Sequence, residues 1–221
     1  MFKLFRYLSP EHAEAFVRNG EVLFRALSYF RDYEEDGVRA DEYEGTLVHL
    51  PKEGLKVGLV KTGKEKPVPY TFESSALEDE IFVYCMSTER SALIASRFKT
   101  AACVEIFDLP RFFFHLRTAL SKYPNVQEEQ LIYDKVKYYE RHDPPGVDWA
   151  LPNKIALRKP KTFEWQREYR LAFPIGMAFT LENVDVKLVP LGTRRTKRSH
   201  AHPQILFKLG DLSKLCRIHS F

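Results

Sequence analysis

The stretch FEWQREYRLAF, from Phe163 to Phe173, sets a carboxylate, an amide and two guanidinium groups at the entrance of an apolar, strand-like run. Gln166 and Glu168 stand two residues apart. If both belong to a strand, its period of two turns them to one face, which then offers a carboxylate with an amide beside it. Such a pair is suited to hold a ribose hydroxyl or to stabilise developing positive charge. Trp165 and Tyr169 would pack the opposite side or frame the rim. A solvated polar pair at a strand edge is the plain alternative, and these residues alone do not choose between the two.

A second concentration of charge is GTRRTKRSHAH, with Arg194, Arg195, Lys197 and Arg198. Clustered Lys and Arg gain affinity for nucleic acid by releasing its counterions, so the run is a candidate phosphate-binding patch; a solvated hairpin loop explains it equally well. His200 and His202 can face one side of a strand, but the neighbouring cations would repel a metal ion, and surface histidines in a basic loop are the expectation. The other five histidines make no ligand pair, and no metal site is expected. Cys85, Cys103 and Cys216 have neither zinc nor disulfide spacing. Cys85 and Cys103 lie in apolar runs, as buried inert thiols do, which points to a reducing cytoplasm.

The elements that would position these groups are short. FKLFRYLS alternates apolar and polar residues as a strand does. Ser9 and Pro10 then give a helix cap and first turn, Ala13, Phe16 and Val17 an apolar stripe, and Asn19-Gly20 a stop. EVLFRAL is a second strand. SYFRDYEEDGVRADEYEGT holds too many charges for core and too many aromatics for a linker, so a short helix and a long ordered loop are expected; Arg39, Asp41 and Glu44 in it fit a solvated loop with internal ion pairs as well as the rim of a site. TLVHL and GLKVGLV read as strands, and Lys61 to Pro69 as a basic turn region. EIFVYCMS is a buried strand, TERSALIASRF a helix, AACVEIFDL a strand and PRFFFHLRTALSKY a helix. EEQLIYDKVKYYE tilts to strand, HDPPGVDW to loop and ALPNKIAL to a short helix. REYRLAFPI, VDVKLVPL and HPQILFKLG are late strands. Short strands mixed with short helices predict an α+β fold around antiparallel sheets, and no repeat or linker divides residues 1–221, so a single domain is expected.

Composition bounds the function. With 44% apolar and 14% aromatic residues a packed core is within reach, and the net charge of +4 permits a nucleic-acid partner without demanding one. The opening lacks the uninterrupted apolar run of a signal peptide, and nothing approaches a membrane span in length, so a soluble cytoplasmic protein with no membrane partner is expected. Phosphate-loop, dinucleotide-fold, zinc-protease and serine-hydrolase motifs are absent.

Three segments, LFRYLS, VYCMST and WQREYRL, resemble in order the signature strands of ADP-ribosyltransferases of the Arg–Ser–Glu type. The opening strand, helix, NG turn and strand are similar to DNA-modifying ADP-ribosyltransferase toxins. VYCMSTERSALIASRFKTAACVEIFD followed by WQREYRL resembles a widespread bacterial family of unassigned function, from Phe2 to about Phe173. The resemblance implies split antiparallel sheets with short flanking helices and NAD as substrate, with no metal. It implies that Arg6 holds the dinucleotide, that Ser87 and Thr88 lie beside ribose and nicotinamide, and that Glu168, preceded by Gln166, is catalytic. Tyr29 and its aromatic neighbours would stack on nicotinamide or on an acceptor base, with Arg39 on the same rim. The middle motif departs from the usual Ser-x-Ser by reading Met86-Ser87-Thr88. Gln rather than Glu two residues before Glu168 argues against arginine as the acceptor. The implied role is that of a bacterial toxin or phage-defence effector modifying RNA or single-stranded DNA, with an antitoxin protein as partner. The rival expectation is a nucleic-acid-binding or processing module without NAD chemistry.

Overall fold

A computed structural model of the chain describes residues 2–32, 41–58, 60–193 and 201–221. The elements, in order, are β1 (Leu4–Leu8), α1 (Pro10–Asn19), β2 (Glu21–Ala26), α2 (Leu27–Asp32), β3 (Thr46–His49), β4 (Leu55–Gly58), β5 (Glu65–Val68), β6 (Tyr70–Ser75) and β7 (Ile81–Ser87). Then come α3 (Ala92–Arg97), β8 (Ala102–Ile106), α4 (Leu109–Leu120), β9 (Ile132–Lys135), β10 (Lys137–Tyr139), α5 (Pro152–Ile155), β11 (Arg158–Pro160), β12 (Glu168–Pro174), β13 (Asp185–Pro190), β14 (Gln204–Lys208) and β15 (Cys216–Ser220). The class is α+β.

The opening follows the local chemistry. The Ser9 hydroxyl accepts from the His12 amide, Pro10 takes the first helical position, and Gly20 ends α1 in the left-handed region at φ 65°. A Cβ on Gly20 would meet the Gly210 carbonyl oxygen at 2.5 Å, so both the backbone angle and the close approach require glycine there.

Eight strands form one antiparallel sheet, ordered β14-β2-β7-β1-β8-β15, with β12 pairing β7 and β9 pairing β12. One face carries Phe24, Tyr84, Met86, Leu171 and Phe173 and is covered by Phe16 of α1 and Phe112, Leu116 and Leu120 of α4. Burying each such side chain contributes about 1.5–3 kcal/mol. On the other face, Ile94 and Ala95 of α3 pack on Tyr7 and Cys103. Val83 and Ala172 meet Leu27, Leu47, Trp149 and Ile155 there, beneath the smaller sheet β13-β6-β3.

Three expectations change. The basic turn after Lys61 contains β5, which pairs with β4 as a hairpin. The segment judged too charged for core buries Asp41, Glu44 and Thr46. His202 is no surface histidine: its ring lies 3.3 Å from the Ser28 hydroxyl and its side chain is 18% exposed. Strands β6, β11 and β15 had no counterpart in the sequence reading.

Candidate functional site

The large sheet divides at β7. Ser87 pairs with Glu168 of β12 and with Phe5 of β1, while Val83 pairs with Ala172 of β12 and with Arg25 of β2. One edge of β7 is therefore occupied by β12 along its length. The other is shared by β2 and β1, which splay apart and leave residues 84–86 without a neighbouring strand there among the described residues. A cavity of about 630 Å3 opens at this gap, lined by Arg6, Tyr84, Ser87, Lys159, Gln166 and Glu168 among others. That volume falls in the range of about 300–1,000 Å3 usual for small-molecule and cofactor sites.

Opposed residues of an antiparallel pair share a face, so Cys85, Ser87, Glu168 and Arg170 stand on one face of the sheet. Arg6 rises from the other face and reaches the gap from behind: its guanidinium lies 4.7 Å over the Tyr84 ring and Nη1 donates to the Cys85 carbonyl. Its Nε is buried with no hydrogen-bond partner, and Arg6 is one of the residues that line the cavity.

Glu168 sits in a buried ionic cluster. Arg170 Nε donates to its Oε1 at 2.6 Å, and Lys159 Nζ to its Oε2 at 2.9 Å. Lys159 also donates to Gln166 Oε1 at 2.9 Å. Arg170 forks onto the Glu44 carboxylate at 2.6 and 2.8 Å and donates to the Ala156 carbonyl at 2.7 Å. Burial alone would raise the Glu168 pKa, but the Arg170 and Lys159 cations outweigh it and hold the carboxyl well below the usual range. Burial would lower the Lys159 and Arg170 values, yet Glu168 and Glu44 hold both raised. Burial, reinforced by Glu44, pushes Asp41 up to about 7. The Cys85 thiol, a further partner of Glu168, is pushed up to about 12, first by burial and then by that carboxylate. A carboxylate offers about four acceptor positions. Arg170, Lys159 and Cys85 fill three, leaving one acceptor position.

Gln166 and Glu168 do converge, though not as strand neighbours. Gln166 closes a 3-10 turn (Lys161–Gln166), and Arg167 follows in the left-handed region at φ 46°, a conformation that costs a non-glycine residue roughly 1 kcal/mol. The turn is pinned on both sides. The Thr88 amide and hydroxyl donate to the Arg167 carbonyl at 2.8 and 3.2 Å, and the Glu168 amide donates to the Tyr138 hydroxyl at 2.9 Å. Thr88 thus serves the turn and lies outside the residues that line the cavity. Trp165 packs on Phe98 and beneath Arg97, while Tyr169 enters the core on the opposite face. Tyr29 lines the cavity beside Phe30. Asp41 and Glu44, expected on a rim, are buried, and Glu44 is the anchor of Arg170. Arg39, Tyr33, Arg194, Arg195, Lys197, Arg198 and His200 lie outside the described residues.

Lys159 and Arg170 were not singled out from the sequence, and Glu44 was assigned to a rim rather than to a buried cluster with them. Arg170 alone carried a signal, since a guanidinium at an alternate position of an apolar strand must find a carboxylate or stay out of the core. Among the described residues no group of His, Cys, Asp and Glu side chains could hold a metal ion, and no helix is long and apolar enough to cross a membrane. Comparison of the chain with protein-family models, characterised proteins and solved structures finds no match.

Proposed function

We propose that the chain is an NAD-dependent ADP-ribosyltransferase that modifies nucleic acid, with its site in the gap between β1 and β2. The observation that carries this reading is the convergence of Arg6, Ser87, Gln166 and Glu168, separated by up to 162 positions of sequence numbering, on the walls of one cavity. NAD supplies an electrophilic ribosyl carbon once its bond to nicotinamide loosens. Glu168, fixed and ionised, accepts one ribose hydroxyl at its remaining position and stabilises the positive charge that develops on the ring. It is a poor proton acceptor, because Arg170 and Lys159 hold its pKa low; its part is electrostatic and orienting. The guanidinium of Arg6, which lines the cavity, suits a phosphate oxygen. Gln166, held by Lys159, fixes the direction from which the sugar approaches. The sequence run Arg194, Arg195, Lys197 and Arg198 supports a nucleic-acid acceptor by charge.

One observation favours a second reading. Both oxygens of Glu168 are engaged by cations, and two carboxylates face two cations in the cluster, as a structural core would have it. The cavity would then take a nucleic-acid strand, neither binding nor cleaving NAD. Thermal denaturation with millimolar NAD separates the two. Under the transferase reading NAD raises the melting temperature by mass action, and Arg6→Ala loses that shift more fully than Glu168→Gln. A well-folded protein with no shift overturns it.

A further inference from the structure

The cavity extends onto a shelf that the proposed chemistry leaves unused. Arg25 of β2 lies opposite Gln204 of β14, and Leu23 opposite Leu206. Because Arg25 also lies opposite Val83, this row stands on the same sheet face as Ser87 and Glu168. Glu21, Leu23, Arg25, Gln204 and Leu206 all line the cavity that holds Glu168. The shelf is open to solvent, with Gln204 exposed and Leu206 50% exposed.

Its central feature is a stack. The Arg25 guanidinium lies 3.9 Å from the centre of the Tyr29 ring, and among the described residues Arg25 makes no hydrogen bond or ion pair. One face of the cation lies over tyrosine, and the Arg25 side chain is half-buried at the edge of the open shelf. We propose that this shelf is the acceptor subsite and that it takes an unstacked nucleobase of a single-stranded nucleic acid, laid on the guanidinium plane of Arg25. The word acceptor rests on the transferase reading; base binding does not. Arginine planes and aromatic rings stack bases irrespective of sequence. Gln204 carries both a donor and an acceptor for a base edge, and Leu23 with Leu206 gives an apolar floor. A base still paired and stacked in a duplex cannot present its face to a guanidinium within a cavity.

The test uses hexanucleotides of RNA and of DNA carrying one central 2-aminopurine, followed by anisotropy for binding and by 2-aminopurine fluorescence for stacking. The full chain should bind both single strands and quench the probe further, and should leave unchanged the emission of a duplex, which base stacking already holds low. Arg25→Lys keeps the charge but loses the plane; binding should weaken by roughly tenfold or more, and the quench should vanish. Leu206→Glu, at an exposed position where folding is not at risk, should weaken binding as well. An Arg25→Lys protein that binds and quenches like the parent, a parent that binds neither strand, or displacement of the strands by an acidic peptide at lower concentration would each overturn the inference. The NAD melting shift of the unaltered protein reports separately on the transferase reading. A quench without a shift keeps the shelf and discards the transferase, whereas a shift without a quench does the reverse.

Discussion

Arg170→Met removes the centre of the ionic cluster while keeping an unbranched apolar side chain in its place. Arg170 is fully buried, and its guanidinium makes four contacts of 2.6 to 2.8 Å: two to Glu44, one to Glu168 and one to the Ala156 carbonyl. Without it, Lys159 is the one cation left to Glu44 and Glu168 among the described residues, 3.8 Å from the first and 2.9 Å from the second. Deleting one member of a buried ion pair strands its partner's charge, at a cost of about 3–5 kcal/mol. For a chain of 221 residues, where each kcal/mol moves the melting temperature by about 2–4 °C, the expected drop is about 6–20 °C. Adding Glu44→Gln to Arg170→Met removes the stranded carboxylate and should recover part of the loss. Urea denaturation of the parent, both single variants and the double variant measures the coupling, expected at about 0.5–3 kcal/mol. A loss below about 1 kcal/mol for Arg170→Met, or strict additivity of the two substitutions, would refute the view that this cluster is a balanced unit.

Asp41 gives a pH dependence of defined sign. Its folded pKa of about 7 lies above the ordinary carboxyl value, so the native state binds the proton more tightly and stability falls as pH rises from about 4 to about 7. Asp41→Asn keeps an oxygen for the Tyr43 amide and removes the titration; it should match the parent at or below about pH 4 and exceed it increasingly up to pH 8 in urea denaturation, and a parallel pair of profiles would contradict this. The thiols of Cys85, Cys103 and Cys216 are each pushed up to about 12, mainly by burial. A maleimide reagent at pH 8 should therefore label none of them in the native protein and all of them in denaturant; one fast native thiol would show that its wall of the fold opens.

The local signals were the readable ones. Ser9, Pro10 and Gly20 bound α1 because capping and left-handed backbone are properties of single residues, and β7 and β12 announced themselves as apolar runs. The approach of Gln166 to Glu168 was foreseen for the wrong reason: strand alternation was invoked, whereas a 3-10 turn and the left-handed Arg167 bring them to Lys159. What escaped the sequence was long-range. Glu44 meets Arg170 across 126 positions, so neither charge looked like core until its partner was in view. The same holds for Asp41, assigned to a rim and found buried. Arg6 was expected in one site with Ser87 and Glu168; the register of β1 sets it on the opposite face of the sheet, and it lines their cavity through the gap between β1 and β2. Strands β6 and β15 were missed since TFESS and CRIHS carry polar residues at positions that the sheets tolerate.

Incubation of the purified chain with NAD labelled in its adenylate half, together with separate pools of protein, RNA and single-stranded DNA, tests the central claim most directly. The account predicts release of nicotinamide and label retained on RNA or single-stranded DNA, with both signals lost in Glu168→Gln while that variant still melts cooperatively. Label on protein alone would move the acceptor, and a folded parent that releases no nicotinamide with any pool would contradict the assignment of the cavity to ADP-ribosyl transfer.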